Sequence, residues 1–134
     1  MEIVEFSRVY QYDTFLVGIT VPVFLSNGIS QAAFKAKIDT GASYCIFVRK
    51  HAEVLGVDVE SGDEIRISTA TGYFTAFGHE LTLSVLDIET VSTVYFAKEE
   101  SFTRNVLGRQ GWLDRVKLGL IDYQGKLLLS VYNE

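Results

Sequence analysis

From Thr14 to Leu25 the chain reads Thr-Phe-Leu-Val-Gly-Ile-Thr-Val-Pro-Val-Phe-Leu, a run rich in β-branched and aromatic residues that predicts a strand, and Ser26-Asn27-Gly28 then supplies a turn. The return, Ala32 to Ile38, alternates small or apolar with polar side chains, so it predicts the second, half-buried arm of a hairpin. Pro22 is the only proline and has no N–H to donate, which sends it to an edge or a bulge. Upstream, Ile3, Val4, Phe6, Val9 and Tyr10 suggest another strand and a loop.

Strand character resumes from Tyr44 to Val48, and Arg49 to Leu55 reads as a short helix stopped by Gly56. Glu64 to Thr69 and Tyr73 to Leu86 form the arms of a long hairpin whose tip, Ala70-Thr71-Gly72, is small and polar and so free to project and move. Val91 to Ala97 predicts a further strand, Lys98 to Asn105 a polar connection, and Val106-Leu107 a short buried strand ending at Gly108. A helical turn around Gln110 to Arg115 follows, then a strand from Val116 to Ile121, a turn at Asp122 to Gly125, and a last strand from Lys126 to Tyr132. There is no repeat of short period. The expected class is all-β, mainly strands with two short helices.

Composition narrows the class of function. A chain of 134 residues with 48% hydrophobic and 22% charged positions is expected to fold as one domain, residues 1–134, around a real core. The net charge of −5, with no block of lysines or arginines, argues against nucleic acid and against an anionic membrane surface as partner. Cys45 is alone and closes no internal disulfide, which points to a reducing compartment. Glu2 and Glu5 stand where a signal peptide needs positive charge, and no run approaches the roughly 20 apolar residues of a membrane span, so the expected location is cytoplasmic.

The stretch with candidate chemistry is Lys37-Ile38-Asp39-Thr40-Gly41-Ala42-Ser43. A strand that ends in Asp-Thr-Gly sets one carboxylate at a fixed height, lets Gly41 take a backbone conformation a bulkier residue resists, and offers the Thr40 hydroxyl nearby. Alone, the triplet reads first as a β-turn with Asp in a capping role.

Taken together, Ile38-Asp39-Thr40-Gly41-Ala42-Ser43, the hairpin tipped by Thr69-Ala70-Thr71-Gly72, and Val106-Leu107-Gly108-Arg109 followed by Gln110-Gly111-Trp112-Leu113 resemble the retropepsin-like aspartic proteases, over roughly Thr14 to Leu129. The resemblance implies a closed β-barrel of acid-protease topology with a flap hairpin. It also implies an aspartic endopeptidase acting on a peptide or protein as a homodimer, without metal or organic cofactor. Asp39, Thr40 and Gly41 would then be the catalytic triplet: Asp39 meets its copy on the two-fold axis, Thr40 links the two loops, and Gly41 offers its carbonyl to the peptide. Ala42 and Ser43 would line the cleft floor, with Ala70, Thr71, Gly72 and Tyr73 above the substrate. Leu107, Gly108 and Arg109 would support the loop from behind. Viral members carry an acidic residue where Ser43 stands, so a pairing with Arg109 is not expected, and Ala42-Ser43 looks more like the cellular and bacterial single-domain relatives. A plain surface turn explains the hairpin tip as well as a flap does.

Two other readings remain beside the protease. One keeps the fold as a catalytically inactive module for peptide binding or dimerisation, and the other is an unrelated ligand-binding β-barrel. His51 belongs on a solvated helix face beside Lys50 and Glu53, and His79 lies alone in the hairpin return, so neither suggests a metal site. Cys45 reads as a buried structural thiol rather than a nucleophile, and Trp112 as core or dimer packing, with a specificity pocket the lesser alternative.

Overall fold

The computed structural model describes residues 1–134. Its strands are β1 (Arg8–Gln11), β2 (Thr20–Ser26), β3 (Gln31–Ile38), β4 (Ile46–Phe47), β5 (Asp63–Thr69), β6 (Gly72–Val85), β7 (Ile88–Ala97), β8 (Val106–Leu107), β9 (Val116–Ile121) and β10 (Lys126–Val131), with one α-helix, α1 (Arg49–Val54). They form an antiparallel three-stranded sheet, β1-β10-β9, and a seven-stranded sheet, β2-β3-β8-β4-β7-β6-β5. In the larger sheet β2 also pairs with β6 over Phe24–Ser26, joining strands that lie far apart in that order. The all-β class expected from the alternation is the class observed.

Burial follows the period of two. In β2 Val21, Val23 and Leu25 are fully buried while their neighbours are not, and in β6 Leu81, Leu83 and Val85 repeat the pattern. Leu127 and Leu129 of β10 belong to the same cluster of 21 buried residues, so the two sheets share one core. Each such aliphatic side chain contributes about 1.5–3 kcal/mol on leaving water. Pro22 sits on the side of β2 that has no partner, because the pairing with β6 begins only at Phe24, and so its missing N–H breaks no ladder.

Several elements differ from expectation. The strand predicted from Thr14 starts at Thr20: the Asp13 carboxylate accepts the Phe15 N–H at 2.9 Å, Gly18 has φ +81°, and Phe15 and Val17 project into solvent as a loop. The last strand of the hairpin region, expected from Val91, begins at Ile88, because Leu86 (φ 49°) and Asp87 (φ 65°) make a tight two-residue turn that lacks the usual glycine signal. The second predicted helix tightens to a 3-10 turn at Leu113–Arg115. Gly111 (φ +98°) breaks the approach to it, and the Asp114 carboxylate accepts the Gly111 N–H at 3.0 Å.

The placement of β8 positions everything that follows. It runs parallel to β3, pairing Lys37 with Val106 and Ile38 with Leu107, and antiparallel to β4, pairing Ile46 with Val106. A strand late in the chain is thus threaded between two early ones, on either side of the Asp39 loop.

Candidate active site

Strand β3 delivers Asp39 just beyond its last paired residue, where the Asp39 N–H donates to the Leu107 carbonyl at 3.0 Å. The loop then turns on itself. The Asp39 carbonyl accepts the Ala42 N–H at 3.1 Å, and Asp39 Oδ1 accepts the Gly41 N–H at 3.0 Å. The carboxylate is solvent-exposed and has no cationic partner in the chain. Gly41 is not in the left-handed region, contrary to the expectation of a special backbone conformation. Space is the constraint instead, since a Cβ at this position would stand 3.3 Å from Asp39 Oδ1.

Behind the loop, Gly108 is packed directly against backbone. A Cβ on it would lie 2.2 Å from the Tyr44 carbonyl oxygen and 2.8 Å from that of Ala42, closer than any side chain can come. The Arg109 and Gln110 N–H groups donate to the Ala42 and Ser43 carbonyls, both at 2.9 Å. Leu107, fully buried, and Gly108 therefore clamp the loop through its main chain, which leaves the Asp39 carboxylate free to face outward.

A groove of about 510 Å³ opens in front of the carboxylate. Asp39, Gly41, Ala42 and Ser43 form one wall, and Ile67, Ser68, Thr69 and Ala70 of the long hairpin face them. Thr71, Gly72 and Tyr73 do not line it. Tyr73, expected above the substrate, lies on the outer face with Arg66 stacked 4.2 Å over its ring, while the next residue, Phe74, lines the groove. Phe74 pairs with Ile67, and both line the groove, whereas Tyr73 pairs with Ser68 on the opposite face of the hairpin and is covered by Arg66. Thr40 is turned away from the groove and lines, with Ser43, Arg109 and Asp114, a separate hollow of about 420 Å³. A larger hollow, about 790 Å³, lies between residues 2–7 and Lys117, Leu118 and Ser130, and holds none of the loop residues.

Groove residues not expected from the sequence include Tyr44, Ile46, Arg66, Ile67, Ser68, Thr69, Phe74, Phe102, Arg104 and Val106. Parity within the hairpin was the available signal for Ile67 and Phe74. Phe102, in the connection after β7, had none; it reaches the site by stacking on Phe74 with ring centroids 4.9 Å apart.

The remaining candidates have structural roles. Cys45 is fully buried with Sγ 3.7 Å from the Gln110 carbonyl oxygen. Burial pushes its thiol up to about 11, assisted by the Asp114 charge and opposed by the Gly108 N–H, which is the reverse of what a nucleophile needs. His51 is not on a solvated face but half-buried, stacked on Phe34 at 3.9 Å, and burial, then Lys50, holds its pKa below the ordinary value. His79 Nε2 lies 2.9 Å from the Val59 carbonyl oxygen. Trp112 is a core residue, 1% exposed. His, Cys, Asp and Glu nowhere gather in groups of three or more able to hold a metal ion, and no helix is long and apolar enough to cross a membrane.

No family model and no curated protein matches the chain. Among solved structures it is similar to the EIAV protease complexed with the inhibitor HBY-793, at 17% sequence identity and a TM-score of 0.55, over 71% of this chain and 85% of that one. The chain therefore has a retropepsin-like fold, the fold of a retroviral protease.

Proposed function

We propose that the protein is an aspartic endopeptidase that hydrolyses peptide bonds as a homodimer. The observation that carries this is the Asp39-Thr40-Gly41 loop, clamped from behind by Leu107 and Gly108 and opening with its carboxylate free onto a groove beneath a hairpin. One exposed carboxylate does not complete the chemistry. Hydrolysis by activated water needs one carboxylate to take the water's proton while a neighbouring carboxylic acid donates to the substrate carbonyl. In this reading the second group comes from Asp39 of another copy across a two-fold axis, and Thr40, which lines a hollow outside the groove, links the two loops. The two roles need one carboxylate bare and the other protonated, so activity is expected to fall at both acidic and alkaline pH. The chemistry requires no metal or organic cofactor.

Residues 1–134 act in this reading as one protease domain. Ala42-Ser43 supports the cellular and bacterial single-domain form over the viral one, and the lone, buried Cys45 supports a cytoplasmic setting. Wild type and Asp39→Asn are to be compared on an unbiased peptide library across acidic to neutral pH, with oligomeric state measured alongside. Cleavage by wild type alone, confined to the dimer, is expected; equal cleavage by both proteins, or cleavage by a monomer, ends the proposal. Peptide binding without cleavage by either would establish the inactive module instead.

A further inference from the structure

The groove has an uneven charge. Apart from Asp39, its only charged lining residues are Arg66 and Arg104, although the chain as a whole carries a net charge of −5. Arg8, Arg49 and Arg115 each have a carboxylate partner within the chain; Arg66 and Arg104, like Arg109 outside the groove, have none. Arg66 is held in place by the Tyr73 ring beneath it and by donating from Nη2 to the Tyr73 hydroxyl at 3.1 Å. Arg104 is exposed and lines the groove together with Phe102 and Phe74, whose rings stack on each other.

A planar guanidinium without a partner is matched best by a carboxylate, which it engages through two parallel N–H donors. A basic side chain placed there meets like charge, so the same pair of arginines also excludes. Resting on the protease reading, we propose that the groove selects peptides carrying an acidic side chain near the cleaved bond, next to a large apolar residue seated against Phe74 and Phe102. Arg104 is the partner of that carboxylate; Arg66, whose guanidinium is held over the Tyr73 ring, adds only positive charge near the groove.

The test uses two random-sequence peptide pools, identical except that one holds Glu and the other Gln at a single fixed position, repeated for each position along the peptide. For at least one position, wild type should process the Glu pool about fivefold faster, the upper end for an exposed ion pair, and added salt should shrink the difference. Arg104→Gln should erase the Glu/Gln ratio and Arg104→Lys, which keeps the charge but loses the paired donors, should retain only part of it, a graded order that a merely structural role for Arg104 does not predict. Cleavage with no Glu preference at any position, or a ratio that survives Arg104→Gln, overturns the inference and leaves the protease reading intact. Binding of the same pools to Asp39→Asn, measured by fluorescence anisotropy, separates the two claims. Tighter binding of the Glu pool where wild type cleaves nothing upholds the acidic selectivity while ending the protease reading, and equal binding of both pools overturns the selectivity.

Discussion

The backbone of Gly108 lies against the carbonyl of Tyr44 so closely that a single added methyl would stand 2.2 Å from the oxygen. The contact is backbone to backbone, with no flexible side chain to give way. It holds β8 between β3 and β4, and through the Asp39 N–H to Leu107 bond it holds the candidate catalytic loop.

Gly108→Ala should therefore destabilise the fold by about 2 to 3 kcal/mol, the upper part of the range for overpacking a tight interior. Urea unfolding followed by tryptophan fluorescence reports this through Trp112. Gly119→Ala is the control: its nearest obstacle is the Phe6 ring at 3.0 Å, a side chain in the N-terminal segment that can shift. A smaller loss is expected there, and equal losses at both positions contradict the clamp.

The pair Tyr12 and Asp122 should make stability fall at high pH. Tyr12, 4% exposed, donates to Asp122 Oδ1 at 2.5 Å, and this bond first, then burial, pushes its phenol up to about 12 from 10.0. A raised folded-state pKa means the contribution is complete below about pH 10 and is lost as pH rises toward 12. Chemical denaturation across that interval should show the decline, and Tyr12→Phe should flatten it while lowering stability at neutral pH. An unchanged slope in Tyr12→Phe assigns the decline to other groups.

Cys45 should be unreactive in the folded protein. With its thiol near 11 and fully buried, iodoacetamide at mildly alkaline pH should label it only as the chain opens. Labelling across a urea series should trace the unfolding curve. Prompt labelling in native buffer shows that the region around β4 opens on its own.

The Phe74–Phe102 stack joins the hairpin to the connection after β7. A double-mutant cycle with Phe74→Leu and Phe102→Leu should give a coupling of about 0.5–1.5 kcal/mol, the value for an aromatic pair beyond its area burial. Additive effects show that the two rings are neighbours without being coupled. If the protein is a protease, Phe102→Leu should raise KM more than it lowers kcat, because the ring lines the groove without touching the reacting atoms.

How much of this was legible beforehand depended on the range of the interaction. Alternation in β2, β3, β6 and β10, the stop at Gly56 (φ +71°) and the turn at Gly125 (φ +65°) are local consequences of side-chain period and backbone freedom, so the chain alone determined them. It determined also that Asp39 ends a strand and enters a turn. The chain did not determine that Val106 and Leu107 would pass between β3 and β4, for nothing in two residues names partners so distant in sequence. Alternation put Phe74 and Tyr73 on opposite faces of the hairpin, but which of those faces meets the groove was decided by the sheet pairing. Thr40 and Asp39 are adjacent in the chain yet border different hollows, and Phe102 and Arg104, in a connection without period, reach the groove only because Phe102 finds Phe74. Local sequence made a turn with a carboxylate in it; long-range pairing decided what that carboxylate faces.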